Sequence, residues 1–455
     1  MKALTLAKAV PRGVVNILVV LAVAFVLLVF LPQAHKTLTI AIHQGVEGVA
    51  LGEVASRFAV EKKVPVELIE LPYNDLFEAE LKQIENPKGS AYDVIMADDP
   101  WMPAFLGGED GHDLKDPSRY HLKPISIAAA FCDQLVPSLL EVIRSPSDKS
   151  DATCKDKFYA APFVGNSQLF AFRKDPKSDS TAPVQPPRTW DEAIKNPGYV
   201  MRVGPGNPIV TDFITLLWDA SPDSFQTNNP APLRLLVGAQ KAFGYLSTLG
   251  SRPKNLGIIS YDDFDLAIQV AKGQASMSIV WSAWAMAMAH LPEPQRRDLF
   301  RNIAFAQVPG EKPELGAWVL AMPKNSDNSN AADFIAFATG YEQLKKAALS
   351  GNPRPLQTLF DDAELKMQYP KSLAVQLTSL MTAKPRPRNT RWRAVEKVLG
   401  RCLSAAYESA LVAQRELGEP AAVARANEIL INRANAGLIA VETGQPVDGF
   451  NCMKD

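Results

Sequence analysis

The sequence predicts an α/β fold in which helices flank a mainly parallel sheet. Three stretches near the N-terminus have the apolar and β-branched residues that are typical of strands: residues 36–42, 64–71 and 92–97. Helical patterns at 52–63 and 73–85 separate them. Strands that alternate with helices at this spacing indicate a parallel sheet. Ligands of such sheets bind beyond the carboxyl ends of the strands.

Length and composition are those of an ordinary globular protein. The chain has 455 residues, of which 47% are hydrophobic and 21% are charged, and this length is enough for two domains. The formal net charge is −1. The sequence has no basic stripe with interleaved aromatic residues, so nucleic acid is not expected as a ligand.

The N-terminal residues 1–35 have the pattern of an export signal. Three basic residues precede an apolar run at 14–31, which is nearly as long as the ~20 residues that span a bilayer. Cleavage after Ala34 would place Pro32 where a small residue is usual. A cleaved signal peptide and an uncleaved membrane anchor therefore both remain open, and either predicts an exported, periplasmic protein.

Export makes disulfides the favoured state of the cysteines. Cys132, Cys154, Cys402 and Cys452 allow three pairings in an oxidising compartment. We expect the nearest-neighbour choice, Cys132–Cys154 and Cys402–Cys452. No CxxC or Cys/His spacing supports a metal site, so neither a metal nor another cofactor is expected.

A polar window interrupts an apolar stretch near the middle of the chain. Residues 159–175, YAAPFVGNSQLFAFRKD, alternate in a way that suits a pair of strands, with Asn166, Ser167 and Gln168 among apolar neighbours. Thr189 of PPRTWDE is placed to cap a following helix. A polar window in an apolar strand is what a ligand cleft needs.

The remaining elements continue the mixture of strands and helices. Strands are predicted at 275–280, 303–308 and 316–322. Helices are predicted at 126–143, 211–220, 233–249, 267–271, 328–349, 390–414 and 420–435.

Five stretches together resemble the extracellular solute-binding proteins of ABC importers, in the maltose-binding-protein-like branch that binds carbohydrates. They are YDVIMADDPWMPAF, FYAAPFVGNSQLFAFRKD with PPRTWDE, GQASMSIVW, LGAWVLAMPKNSDNSNAADFIAF and RWRAVEKVL. They occur in the family's order and cover the chain after residue 36. Cys402 and Cys452 in the tail depart from the family pattern, and residues 175–187 form a longer connection than usual.

The resemblance implies a two-lobed type II periplasmic binding protein fold, with a ligand cleft and a hinge between the lobes. Each lobe is a sheet flanked by helices. One lobe would hold residues 36–124 and 308–342, and the other 125–307 and 343–455. The lobes would close on the ligand.

Sugars present C–H faces that suit aromatic rings and hydroxyl edges that suit planar polar groups. Trp284 is expected in the core. The alternative role is packing for tryptophans such as Trp101 and Trp392, a helix cap for one of Asp98 and Asp99, and an exposed loop position for His43 and Gln44. The position of His43 and Gln44 after the first strand makes them candidates for the cleft. The resemblance, together with the rim position of residues 98–101, adds Trp101, Asp98, Asp99, Asn166, Gln168, Trp281, Gly316, Trp318 and Trp392.

Catalysis is not expected from the sequence. The five histidines are scattered and no HExxH, GxSxG, P-loop or GxGxxG motif occurs. Asp98 and Asp99 are adjacent, and no opposing carboxylate marks a glycosidase pair.

The resemblance therefore implies an exported receptor that takes up a mono- or oligosaccharide and presents it to a membrane permease. We expect it to be a monomer. Two alternatives remain open: the same fold binding a polyamine, polyol or oxyanion, and a secreted carbohydrate-active enzyme.

Overall fold

The computed structural model describes most of the chain after residue 35. The described residues are 36–108, 114, 116–144, 157–174, 185–204, 206–225, 234–236, 238–250, 263–294, 299, 302–370, 372–416 and 420–453.

The described strands are β1 (Leu38–His43), β2 (Val66–Leu71), β3 (Val94–Asp98), β4 (Ala160–Arg173), β5 (Tyr199–Val200), β6 (Met277–Trp281), β7 (Ile303–Ala306) and β8 (Leu315–Ala321). The helices of the first part are α1 (Val46–Lys62), α2 (Tyr73–Ile84), α3 (Met102–Gly107), α4 (Ala129–Cys132), α5 (Pro137–Ile143), α6 (Trp190–Lys195), α7 (Asn207–Ala220), α8 (Ala239–Gly250), α9 (Asp263–Lys272) and α10 (Ser282–Ala287). The later helices are α11 (Asn330–Ala338), α12 (Tyr341–Leu349), α13 (Ala363–Gln368), α14 (Leu373–Thr382), α15 (Trp392–Glu416) and α16 (Pro420–Glu442).

The strands form a continuous path in the order β2-β1-β3-β8-β4-β6-β5, with β7 also pairing with β4. β1 pairs in parallel with both β2 and β3, which confirms the predicted α/β class and the parallel N-terminal sheet. β8 pairs antiparallel with β3 and β4. The sheet is therefore mixed. Its antiparallel part arises where β8, from the second half of the chain, lies between β3 and β4.

The long strand β4 connects the two parts of this sheet. Residues 160–167 pair with β8, whereas residues 168–172 pair with β6 and residues 170–173 with β7. The prediction of two strands at 159–175 was wrong, because the chain continues without a turn. The backbone packs closely at the middle of this strand, where a Cβ on Gly165 would lie 2.4 Å from the carbonyl oxygen of Arg354.

The apolar core divides along the chain. One cluster contains buried residues of β1, β3, β8 and the helices that cover them, and a second contains buried residues of α7, α8, α15 and α16. A third, smaller cluster contains buried residues of β4, β6, β7 and α9. Core residues leave the first cluster between 164 and 169, return to it between 308 and 315, and leave it again between 383 and 392. Met286 and Ala289, in and just after α10, also belong to the first cluster.

Two predicted helices are each divided in two. Pro137, which lacks a backbone N–H, starts α5 after a break that follows α4. Gly340 separates α11 from α12 within the predicted helix at 328–349. The cap at Thr189 is confirmed: its side chain accepts from the Glu192 N–H, and the Glu192 side chain accepts in return from the Thr189 N–H, forming a capping box.

The disulfide Cys402–Cys452 is confirmed and ties α15 to the C-terminal residues. Cys132 is also disulfide-bonded, while its predicted partner Cys154 lies outside the described residues. Within the described ranges, no helix has the length and apolar character needed to cross a membrane. The predicted signal or anchor at 1–35 lies outside them.

Candidate functional site

A cavity of about 830 Å³ lies where β4 passes from one part of the sheet to the other. Its lining combines the loop after β1, the ends of β3 and β6, the middle of β4 and β8, and the N-terminus of α7. The volume lies within the range of ~300–1,000 Å³ typical of small-molecule sites.

Seven of the predicted ligand residues line this cavity, and four do not. The lining residues are His43, Gln44, Asp98, Asn166, Trp281, Gly316 and Trp318. The four that lie away from it are Asp99, Trp101, Gln168 and Trp392.

Asn166 presents its amide to the cavity from the middle of β4. It pairs with Gly316 of β8, and its Oδ1 accepts from Ser282 Oγ at 2.7 Å and from the Ala283 N–H at 3.2 Å. These bonds fix the orientation of the amide. Its Nδ2 makes no hydrogen bond to another described residue, so its N–H groups are available to a ligand in the cavity.

Aromatic rings form one wall of the cavity. Trp318 stacks on His43 with ring centroids 4.5 Å apart, and Tyr73 packs edge-on to Trp318 at 6.1 Å. Trp281 and Trp284 also line the cavity. Trp284, which was expected in the core, packs against the core residues of β6 and α9, but it is only half-buried and also lines the cavity.

Trp101 was predicted to contact ligand but is a packing residue. Only 1% of it is exposed, and its ring lies 4.8 Å from Tyr73 and 5.6 Å from Trp318, measured between centroids. The helical turn Asp99–Trp101 that follows β3 directs the ring beneath these two side chains. Trp101 therefore supports the aromatic wall without reaching the cavity.

The predicted pair Asp98 and Asp99 is part of a buried ionic cluster. Arg386 Nη2 lies 2.8 Å from Asp98 Oδ1 and 3.3 Å from Asp99 Oδ2. Its Nε lies 3.1 Å from Glu314 Oε1, at an angle that makes an ion pair but no hydrogen bond. Asp98 also accepts from Tyr73 Oη at 2.7 Å and lines the cavity, while Asp99 faces away and accepts from the Ala317 N–H.

Burial dominates the electrostatics of this cluster. Desolvation, opposed by Arg386 and supported by the neighbouring Asp98 charge, raises the pKa of Asp99 to about 7. Desolvation also raises the pKa values of Asp98 and Glu314. For Arg386, burial acts to lower the pKa, but the surrounding carboxylates outweigh it and hold the pKa well above its usual value.

Gln168 and Trp392 also have internal partners. Gln168 is fully buried, donates from Nε2 to the Thr211 carbonyl at 2.8 Å and accepts from the Glu314 N–H at 3.1 Å. The Nε1 of Trp392 donates to Glu396 Oε1 at 2.9 Å within the second core cluster. Both side chains thus hold elements around the cavity in place.

Sequence reasoning missed several polar residues of the cavity. Arg202 lies in an ion pair with Asp212, and Asn207 donates to Glu396 Oε1 at 2.8 Å. Glu47 and Tyr73 lie in the first turns of α1 and α2, directly after β1 and β2. Their positions at the carboxyl ends of parallel strands were the available signal. In the described chain, no group of three or more His, Cys, Asp or Glu residues is arranged to hold a metal ion.

A family model described as bacterial extracellular solute-binding protein matches residues 53–371. The chain belongs to this family. The family membership confirms the resemblance that the sequence motifs indicated, and the family is one of transport binding proteins. Among curated proteins, no sequence matches this solute-binding protein.

Solved structures of solute-binding proteins share the fold. One from Agrobacterium radiobacter, in complex with ribitol, is 18% identical, with a TM-score of 0.67 over 91% of this chain and 98% of its own. Maltose-bound MalE3 of T. maritima is 20% identical, with a TM-score of 0.64 over 87% and 99%. The GacH receptor of Streptomyces glaucescens, solved unliganded and with acarbose, is 14% identical, with a TM-score of 0.66 over 91% and 100%. The two-lobed architecture of these proteins is thus the fold of this chain.

Proposed function

We propose that this solute-binding protein captures a sugar or a polyol in the cavity at β4 and presents it to the permease of an ABC importer. The observation that carries the proposal is the contact between the Trp281 ring and the backbone of Gly316, the residue that pairs with Asn166. The indole ring offers an apolar face for sugar C–H groups, and the amide offers N–H donors for hydroxyl oxygens. Structural neighbours bound to ribitol and maltose support this ligand class.

Three rings and four polar side chains are the proposed ligand contacts. Trp281, Trp318 and His43 would lie against the apolar faces of the solute, with Trp284 as an additional ring. The proposed hydrogen-bonding partners are Gln44, Asp98, Asn166 and Asn207. Asp99, Trp101, Gln168 and Trp392 would act indirectly, by holding these groups in position.

We propose lobe boundaries that follow the division of the core. One lobe would hold residues 36–164 and 315–383, and the other 169–308 and 392–453, with Met286 and Ala289 of the second lobe packing against the first cluster. This differs from the division that the sequence resemblance implied, because the segments 125–164 and 343–383 pack with the first cluster. The three connections between the clusters would form the hinge, and ligand contacts on both sides would favour the closed state.

Residues 1–35 would supply export to the periplasm, either as a cleaved signal or as a membrane anchor. The protein would act as a monomer without catalysis, and its macromolecular partner would be the permease.

The same fold binding a polyamine or an oxyanion is the second candidate. The oxyanion is disfavoured because the cavity guanidinium groups of Arg202 and Arg386 face buried carboxylates.

A thermal-shift panel tests this proposal. Neutral mono- and oligosaccharides and polyols should include a solute that raises the melting temperature in a concentration-dependent way, since a ligand stabilises the state that it binds. A shift with polyamines or oxyanions alone would contradict the sugar assignment. Release of product from any glycan would overturn the assignment to a transport protein.

A further inference from the structure

The positive charges at the cavity already have carboxylate partners. Arg202 donates from its backbone N–H to Asp212 Oδ2 at 2.9 Å and from Nε to Asp212 Oδ1 at 3.0 Å. Arg386 is surrounded by Asp98, Asp99 and Glu314 at distances of 2.8–3.3 Å. Neither guanidinium group is therefore an unopposed positive charge at the cavity.

Glu47, in contrast, is a buried carboxylate at the cavity without a hydrogen bond in the described part of the chain. Its side chain is 5% exposed, and its ion-pair contact is with His43, whose Nδ1 lies 3.9 Å from Oε2. Glu47 belongs to the first turn of α1, where the helix dipole favours a negative charge. Its carboxylate lines the cavity without a donor from the described residues, so it can pair with a cation bound there.

Aromatic rings surround the same end of the cavity. His43 stacks on Trp318, and its Nδ1 is buried without a hydrogen bond to any described residue. Tyr73 lies edge-on to both rings, with centroids 6.1 Å from each. Aromatic faces next to a carboxylate attract an ammonium group, through the ring quadrupole and through charge pairing.

We propose that the end of the cavity formed by His43, Glu47 and Trp318 binds a protonated amine, so that the transported solute is an amino sugar or an amino polyol. This inference rests on the proposed sugar-binding function and specifies its ligand class. The amine would donate to the Glu47 carboxylate, while the hydroxyl groups of the same solute would reach Asn166 and the ring of Trp281.

The test is a calorimetric comparison of matched amine and hydroxyl solutes on the full-length protein. Suitable pairs are glucosamine with glucose, galactosamine with galactose, 1-amino-1-deoxysorbitol with sorbitol, and chitobiose with cellobiose. In one pair or more, the amine form should bind at least about tenfold more tightly, as expected for a hydrogen bond between charged groups. Glu47→Gln should reduce this ratio to about one.

Glu61→Gln is the matched control. Glu61 lies on the same helix with a side chain that is 56% exposed and 3.0 Å from Lys62, and it does not line the cavity, so its replacement should leave the preference for the amine unchanged. Equal or tighter binding of the hydroxyl forms by wild type would overturn this inference and leave the sugar-binding function standing. Failure of every sugar and polyol, in both forms, would overturn the proposed function and this inference with it.

Discussion

The indole ring of Trp281 lies against the backbone of Gly316. A Cβ built on Gly316 would be 2.7 Å from Cζ3 and 3.0 Å from Cη2 of that ring. Trp281 ends β6 and Gly316 lies in β8, and β4 runs between these two strands, so the ring reaches across β4 beside Asn166. The contact requires glycine at this position, because any side chain would displace the ring.

Gly316→Ala should therefore weaken ligand binding. The added methyl group would occupy the position of the Trp281 ring, which must move away from its place beside Asn166. We expect at least a tenfold loss of affinity in calorimetric titration with the best solute of the thermal-shift panel. Gly244→Ala is the control: Gly244 lies within α8, where an added Cβ would meet nothing within 4 Å, so this variant should keep wild-type affinity. Equal affinity in the two variants would contradict the role of the contact.

Trp101→Ala should lower the stability of the fold rather than act directly on ligand binding. The ring is buried among Tyr73, Phe77 and Trp318, so its removal leaves a cavity in the first core cluster. We expect the free energy of unfolding to fall by about 3–5 kcal/mol in urea denaturation. Unchanged stability together with lost affinity would instead identify Trp101 as a ligand contact.

Asp99→Asn should change how stability depends on pH. The pKa of Asp99 is raised to about 7 in the folded protein, above its unfolded value of about 4, so its contribution to stability is full below pH ~4 and is lost as the pH rises towards 7. An asparagine cannot ionise and can still accept the hydrogen bond from the Ala317 N–H. The difference in melting temperature, variant minus wild type, should therefore become more positive as the pH rises from 5 to 8.

The measurement is a pair of thermal unfolding series over that pH range. Asp327→Asn is a useful comparison, because Asp327 is exposed, pairs with Lys36 and has a lowered pKa, so no gain towards pH 8 is expected there. A constant difference between Asp99→Asn and wild type across the range would show that Asp99 does not titrate as proposed.

Removing the disulfide Cys402–Cys452 should lower stability without altering the cavity. The bond closes a separation of 50 residues and holds the C-terminal residues against α15. We expect a double Cys→Ser variant to lose about 2–5 kcal/mol of unfolding free energy. Neither cysteine lines the cavity, so affinity measured well below the melting temperature should be retained. Wild-type stability of the double variant would contradict this expectation.

The sequence predicted local structure well where the apolar pattern was regular. The alternation of strands and helices from Leu38 to Asp98 is present in the structure, because the apolar residues of β1, β3, α1 and α2 are buried in the first core cluster. β2 is partly exposed at the edge of the sheet. The continuity of β4 was not predictable from its own residues. It depends on pairing with β8 and β6, which lie more than a hundred residues further along the chain.

Individual ligand residues were harder to predict than the region that holds them. The rim after β3 was correctly placed near the cavity, but one helical turn separates Asp98, which lines it, from Trp101, which is buried. Arg386 could not be identified from the sequence. Its position is fixed by carboxylates at Asp98 and Glu314, and no local pattern relates these three residues.

The most direct test of sugar binding at β4 is a calorimetric titration of wild type and Trp281→Ala with the best solute of the panel. Wild type should bind one molecule per chain, and the variant should bind at least tenfold more weakly while remaining folded, as judged by its thermal unfolding transition. The same affinity in both proteins would contradict the placement of the solute against Trp281.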